Sequence, residues 1–497
     1  MASWRYTTCN WFKVAMSSPQ PTRVRPYPAT ASRAFLLIIV AGVLPQGISA
    51  QDWPRFRGPN GTGVSETTGL PLKFGPDKNL SWRREIPFGR SSPIVTKDRV
   101  FLTAIEGDKL ITLSLARMTG RIVWRREIIR SHAQKVFKRN DTATPTPATD
   151  GTNVYAFFPD LGLVSYGSDG NERWRSPLGP FDSFYGVAAS PIIHGDLILL
   201  VCDQTKGSFL LAADKDTGRV RWRKERPVLF EAFSTPVVYL PKEGPAQLVV
   251  SGSDRIDAYS IDTGLNLWWV GGHGRYPVAT PALVNGIIYA PAGGSDQSPY
   301  PSFAELLQRL DKNQDGKISR EEFAADALYG DHFGWVDTNG DGYITADEWN
   351  YVVRSSVNEH GLIAVQAGGE GEQTEKHLLW RYKKTYSPLT SPLVYRDVLY
   401  QIKSGGILTA LNPKNGEVLK VGRAREAIED YFASPVAADG KVFLLSESGK
   451  MTVVNAGPQW EVLAVNDLKE EAQATPALAF GHIYVRTSKA VYSFGSR

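Results

Sequence analysis

The sequence predicts an all-β fold: an eight-bladed β-propeller of four-stranded antiparallel sheets, with a small α-helical pair inserted in blade 5. Three observations predict it. A small residue, then Ser or Thr, then Pro and an apolar strand recur eight times, at Pro93, Pro147, Pro191, Pro236, Pro281, Pro392, Pro435 and Pro476. A glycine followed four residues on by tryptophan marks four of these units, as Gly120/Trp124, Gly170/Trp174, Gly218/Trp222 and Gly264/Trp268. Successive prolines stand 41 to 54 residues apart, except for one gap of 111 between Pro281 and Pro392. Self-similarity at a fixed period is the mark of a repeat architecture. Units of this length hold four short strands, and a ring of such sheets leaves only short, protected edges.

Taken in order, residues 1–50 are expected to form a cleaved signal peptide. They carry Arg5, Lys13, Arg23, Arg25 and Arg33 with no acidic residue, an apolar run from Ala34 to Leu44, and a small-residue end at Ile48-Ser49-Ala50. The apolar run is far shorter than the about twenty residues needed to cross a bilayer. The expected location is therefore periplasmic or secreted, with cleavage after Ala50, Met1 or Met16 as the start and no transmembrane span. The net charge of +5 lies wholly in this leader, and the rest balances 51 basic against 51 acidic residues. Such a balance offers no electrostatic footprint for nucleic acid. Only Cys202 follows the leader, so no internal disulfide is expected.

Residues 51–79 form an N-terminal lead-in, 80–294 the first part of the propeller and 361–497 the second. In each unit the Ser/Thr-Pro opens the innermost strand, where a missing N–H is tolerated at a first residue. The Thr-Gly or Asp-Gly makes the hairpin between strands three and four, where glycine supplies a positive φ. The tryptophan then faces a neighbouring blade. The eighth unit, Ala474 to Phe494, has room for three strands only. The lone strand Leu80 to Ile86, with Trp82, is expected to complete it as a latch that removes an open edge.

The long gap is accounted for by residues 295–360, which carry two twelve-residue loops, DKNQDGKISREE from Asp311 and DTNGDGYITADE from Asp337. Calcium takes six to eight oxygens, which an EF-hand loop supplies from positions 1, 3, 5, 7, 9 and 12, with glycine at 6 for the sharp turn. Those positions are Asp311, Asn313, Asp315, the Lys317 carbonyl, Ser319 and Glu322, then Asp337, Asn339, Asp341, the Tyr343 carbonyl, Thr345 and Glu348. Gly316 and Gly342 hold position 6, and Ile318 and Ile344 stand where paired loops join by a short β-bridge. Two bound Ca²⁺ ions are expected. The insert carries thirteen acidic and five basic residues, so the rest of the mature chain is net positive.

The insert falls between strands two and three of blade 5. It should therefore share a face with the loops that run from one blade's outer strand to the next blade's inner strand. Those loops carry Phe88, Arg90, Tyr185, Phe230, Phe233, Arg275, Tyr276, Tyr386, Tyr431 and Phe432, and the first adds Arg130, Lys135, Lys138 and Arg139. Phe88, Arg90, Tyr185, Arg275, Tyr276, Tyr386 and Tyr431 are the candidate ligand face. It suits a protein partner or a small anionic or aromatic ligand, and inter-blade packing is the competing reading of the same residues.

The Ser-Pro starts, the Asp-x-x-Thr-Gly hairpin at Asp214 to Gly218 and the Gly-x-x-x-Trp element resemble the pyrroloquinoline-quinone-type (PQQ-like) propeller repeat of bacterial envelope proteins. The segment QDWPRFRGPNGTG (Gln51 to Gly63) is similar to the lead-in of secreted members. The resemblance covers residues 52 to 497 apart from the insert and weakens after blade 4, where Lys420 stands in place of the blade 6 tryptophan. It implies either an assembly scaffold or a PQQ-dependent dehydrogenase of alcohols or sugars. The dehydrogenase chemistry calls for an Asp base and a calcium at the cofactor, and often for a vicinal disulfide. No adjacent cysteines, Cys-x-x-Cys-His, His-Glu-x-x-His or Gly-x-Ser-x-Gly motif occurs. PQQ binding thus has no specific motif behind it and no catalytic residue is nominated. The expectation is a monomeric, exported, calcium-binding platform without catalysis. A calcium-responsive switch is a third reading.

Overall fold

Strands two and three of most units are buried along nearly their whole length, as in LILLVC and FLLAAD at Leu197–Cys202 and Phe209–Asp214, whereas the fourth strands alternate. Such strands need cover on both faces, and sheets packed face to face around an axis provide it. In the computed structural model, which describes residues 51–130, 132–134, 137, 139–226, 231–294, 297–357 and 360–495, eight antiparallel sheets do so. The expected leader lies outside the described residues, as do Lys135, Lys138 and Phe230.

Blade 1 runs through Ile94–Val95, Arg99–Glu106, Lys109–Ala116 and Ile122–Ile129, and blades 2 to 7 repeat this meander. Blade 8 takes three strands from the C-terminal segment and its fourth, Leu80–Glu85, from the N-terminal side, paired antiparallel with Ala490–Phe494. The latch thus joins segments some 400 residues apart in sequence, and Trp82 stays 7% exposed within it.

The tryptophan and glycine markers meet across blades. Trp124 of blade 1 lies against Gly170 of blade 2 and donates its Nε1–H to the Ser168 carbonyl at 3.1 Å. Trp82, Trp174, Trp222 and Trp380 do the same with Gly120, Gly218, Gly264 and Gly416. A Cβ on Gly218 would come within 2.5 Å of the Trp174 ring, so glycine serves both a φ of +72° and the neighbour's indole. Lys420 breaks the series from the opposite side. Its Nζ donates to the Trp460 carbonyl at 2.6 Å, and Trp460 of blade 7 occupies the space.

Blade 5 contains Ala282–Val284, Ile287–Ala292, Gly361–Gln366 and Leu378–Tyr382, with a helical segment between its second and third strands. That segment comprises α1 (Phe303–Leu310), α2 (Arg320–Ala324), α3 (Phe333–Val336) and α4 (Ala346–Ser356) around its own core of Leu306, Phe323, Phe333 and Trp349. Ile318 pairs with Ile344 in a two-residue antiparallel bridge. One strand was not expected: Gly371–Glu372 adds in parallel to the outer strand of blade 4. It comes from the connection that replaces the tight hairpin of blade 5, so Trp268 turns to Gln247 of its own blade instead.

Candidate functional site: a plugged channel with an aromatic and basic mouth

The lead-in is a plug. Trp53 exchanges backbone hydrogen bonds with Val95 of blade 1, and the Pro54 carbonyl accepts from Thr149 of blade 2. Arg55 Nη2 donates to the Pro236 carbonyl of blade 4 at 2.7 Å, and Asn60 brackets Val238. Arg57 donates to the carbonyls of Pro392 and Pro435, of blades 6 and 7, at 2.8 and 3.2 Å. A thirteen-residue segment can touch the innermost strands of blades on opposite sides of a ring only from the axis. The prolines that open those strands therefore do more than excuse a missing N–H, because their carbonyls hold the plug. Burial lowers the pKa of both guanidiniums to about 9, which leaves them charged at neutral pH.

Directly before those prolines the Ser and Thr residues form a second ring, hydrogen-bonded in two arcs. Ser92 N–H donates to Thr146 Oγ1 at 2.9 Å, Thr146 N–H to Ser190 Oγ at 3.0 Å and Ser190 N–H to Thr235 Oγ1 at 3.0 Å. On the far side Thr280 N–H donates to Ser391 Oγ, Ser391 N–H to Ser434 Oγ and Ser434 N–H to Thr475 Oγ1, each at 3.0 Å. While Thr280 Oγ1 accepts no N–H among the described residues, each of these six accepting hydroxyls staples its blade to the one before. This explains why Ser or Thr, and not any small residue, precedes the proline, a signal the repeat displayed without its reason.

Above the ring lies a cavity of about 710 Å³. Phe56 of the plug reaches its lining from below, and Arg90, Arg139 and Arg275 join it from the loops. Tyr185 is the aromatic hub, its ring 5.8 Å from both Phe233 and Tyr276 and 5.5 Å from Phe137. Glu231 positions this loop by accepting the Phe184 N–H and the Thr205 hydroxyl at 2.6 and 2.9 Å. Arg90 is clamped by Asp141 at 2.6 Å and Gln473 at 2.8 Å. Burial raises the Tyr276 hydroxyl well above its ordinary pKa and lowers Arg275. No Asp or Glu stands among the described residues of the lining.

The helical insert supplies part of the wall through Pro299, Tyr300 and Ser356. It is tied down by Arg275 Nη2, which donates to the Val352 carbonyl at 2.9 Å, and by the Tyr351 hydroxyl, which donates to Asp254 at 3.2 Å. Of the residues nominated from the sequence, Arg90, Tyr185, Arg275 and Tyr276 come together here. Three do not. Phe88 is an exposed platform under the Arg90 guanidinium, 4.9 Å from its ring centre. Tyr386 packs half-buried against the core of blade 5. Tyr431 is fully buried between blades 6 and 7, its hydroxyl donating to the Ala427 carbonyl, and is a core residue, because an aromatic in a short connection is as easily turned inward as outward. Arg130 is engaged by Asp108 and Asp160.

Within the insert the two loops are built alike. Glu322 accepts the N–H groups of Lys312 and Ser319, and Glu348 those of Thr338 and Thr345. Asp311 and Asp337 each accept two N–H groups of their own loop. With the carboxylates turned to backbone donors in this way, no three His, Cys, Asp or Glu side chains of the described residues stand in a metal-holding cluster.

The sequence model of the outer membrane protein assembly factor BamB family, PQQ_2, matches residues 75–227 and 206–494. The chain belongs to this family. No curated protein matches it in sequence. Among solved structures, BamB from Moraxella catarrhalis superposes at a TM-score of 0.51 with 13% identity, over 84% of this chain and 100% of that one. A quinohemoprotein alcohol dehydrogenase, ADHIIG from Pseudomonas putida HK5, gives 0.53 with 12% identity, over 90% and 81%. The computationally designed Ika8 protein gives 0.51 with 12% identity, over 87% and 99%. At these identities the PQQ_2 member shares a fold with all three, and the roles of the neighbours stay with the neighbours. No helix among the described residues is long and apolar enough to cross a membrane.

Proposed function

We propose that this PQQ_2 protein is an exported, calcium-binding propeller that acts as a non-catalytic binding platform and takes its ligand in the cavity at the channel mouth. The observation that carries the reading is the composition of that cavity: three arginines and a cluster of aromatic rings, with no carboxylate among its described lining residues. Such a lining holds an anionic or aromatic group, or a peptide bearing one, and its described residues offer no carboxylate to take a proton from it. The plug supports the reading, since it turns an open channel into a blind cavity. The family name, with its assembly-factor description, and the likeness to BamB favour a protein partner and an envelope location.

Calcium belongs to this reading through the insert. Each loop holds three side-chain carboxylates, an Asn oxygen and a carbonyl at the EF-hand positions, and Ile318 and Ile344 bridge the loops. Glu322 and Glu348 would release their backbone N–H groups to clasp the ion from position 12. A structural role suits an extracytoplasmic site. Calorimetry should show saturable calcium binding that Glu322→Gln and Glu348→Gln together abolish; heat signals unchanged by the double variant would remove calcium from the proposal.

The dehydrogenase reading is favoured by the ADHIIG superposition alone. Pyrroloquinoline quinone is a flat polycarboxylate, and the arginines and rings suit its binding. The base and the metal-holding carboxylates that alcohol oxidation needs are not among the described residues of the lining. Purified protein incubated with the quinone should therefore reduce no dye in the presence of an alcohol. Dye reduction at a rate above that of free quinone would overturn the platform reading.

A further inference from the structure

The hydroxyl ring has more to offer than blade-to-blade staples. Thr146, Ser190, Thr235, Ser391, Ser434 and Thr475 all line the cavity and are at most 3% exposed. Each oxygen accepts one N–H from the neighbouring blade. A hydroxyl that accepts still has its own proton to donate, and none of the six donates it to a described residue. Six buried O–H donors therefore line the cavity floor.

Positive charge lies directly beneath them. Arg55 and Arg57 bond the carbonyls of Pro236, Pro392 and Pro435, the residues that follow Thr235, Ser391 and Ser434. The Arg55 and Arg57 guanidiniums are buried and donate to neutral carbonyls, so their positive field reaches the floor.

We propose that this ring is an oxyanion seat: the ligand of the cavity is a small organic acid that enters acid end first, its oxygens received by the ring hydroxyls and its body held among Tyr185, Phe233 and Tyr276. The inference rests on the cavity being the binding site and adds the ligand's charge and orientation. O–H···O⁻ bonds are short and strong, and a buried donor without an acceptor is costly, so an oxyanion uses the ring better than any neutral group. The Tyr and Phe faces stack either a sugar or an aromatic ring as the body of that acid.

The test uses matched pairs on the full chain, with benzoate against benzamide and galacturonate against galactose, and inorganic sulfate alone, all by calorimetry. At least one acid should bind about tenfold or more tightly than its neutral partner, a difference of about 1.4 kcal/mol. Thr146→Val and Ser190→Ala should erase that preference, and Thr146→Ser, which keeps the hydroxyl and the staple, should retain it. Because the valine and the alanine variant each also lose a staple, melting temperatures are read beside affinities, and loss of the acid preference with the neutral partner's affinity unchanged decides the matter. Equal binding of acid and neutral partners overturns the oxyanion seat and leaves the platform reading standing. An adventitious ion only, with sulfate binding and neither acid doing so, overturns it as well. Binding of neither pair, nor of pyrroloquinoline quinone, overturns the cavity reading together with the seat.

Discussion

Arg57 shows what one residue in the channel can do. Its guanidinium meets four backbone carbonyls, on Gly61, Thr62, Pro392 and Pro435, and so joins the plug to two blades. Truncation would leave buried carbonyls without donors, and hydrogen bonds to a charged group contribute about 1.5–3 kcal/mol each. Arg57→Ala should lower unfolding free energy by about 3 kcal/mol or more in urea titrations; a loss below about 1 kcal/mol would mean water replaces the guanidinium. His273 makes a pH prediction. It is fully buried against the Ser251 hydroxyl at 2.8 Å, and burial lowers its pKa from 6.5 to about 3. The unfolded chain then binds a proton that the folded chain refuses. Stability should fall as pH drops below 6.5, at roughly 1.4 kcal/mol per pH unit from this residue, and level off near the folded value. His273→Asn should flatten that part of the stability–pH curve; an unchanged slope would assign the acid limb to carboxylates.

At the scale of elements, the unit of cohesion is the tryptophan of one blade on the glycine of the next. Gly218 takes φ +72° and leaves no room for a Cβ beside Trp174. Gly218→Ala combines left-handed strain with overpacking and should cost about 2–4 kcal/mol, measured by thermal or denaturant unfolding. A cost near zero would show that the Trp174 ring can slide. The spacing of these residues was legible in the sequence, and so was a positive φ at the glycine. Their pairing across blades was not, because a four-residue interval says which face a side chain takes and nothing of the sheet it meets. The same limit explains Tyr431, which looked like a loop aromatic and is core. Trp460 shows it again, since it fills from blade 7 the space that Lys420 leaves in blade 6.

At the scale of the whole molecule, closure and plugging make one object of a repetitive chain. Leu80–Glu85 gives blade 8 its outer strand, and Trp82 locks onto Gly120 of blade 1. Removing residues up to 87 should expose the edge of Ala490–Phe494 and strip the channel of its plug. The truncated chain should aggregate or unfold cooperatively at a lower temperature, as read by light scattering during a melt. A truncated chain that stays monodisperse with an unchanged melting temperature would show that seven complete blades close on their own. The count of blades, the latch and the point of insertion followed from the sequence alone, because each leaves a periodic mark that one chain displays: a repeated Ser/Thr-Pro, a missing fourth strand, an overlong gap. The plug, the hydroxyl ring and the choice of which mouth residues face the cavity were decided only by the tertiary structure. They arise where eight distant segments converge on an axis, and a hydrogen bond between residues that share no local spacing has no signature in the order of amino acids.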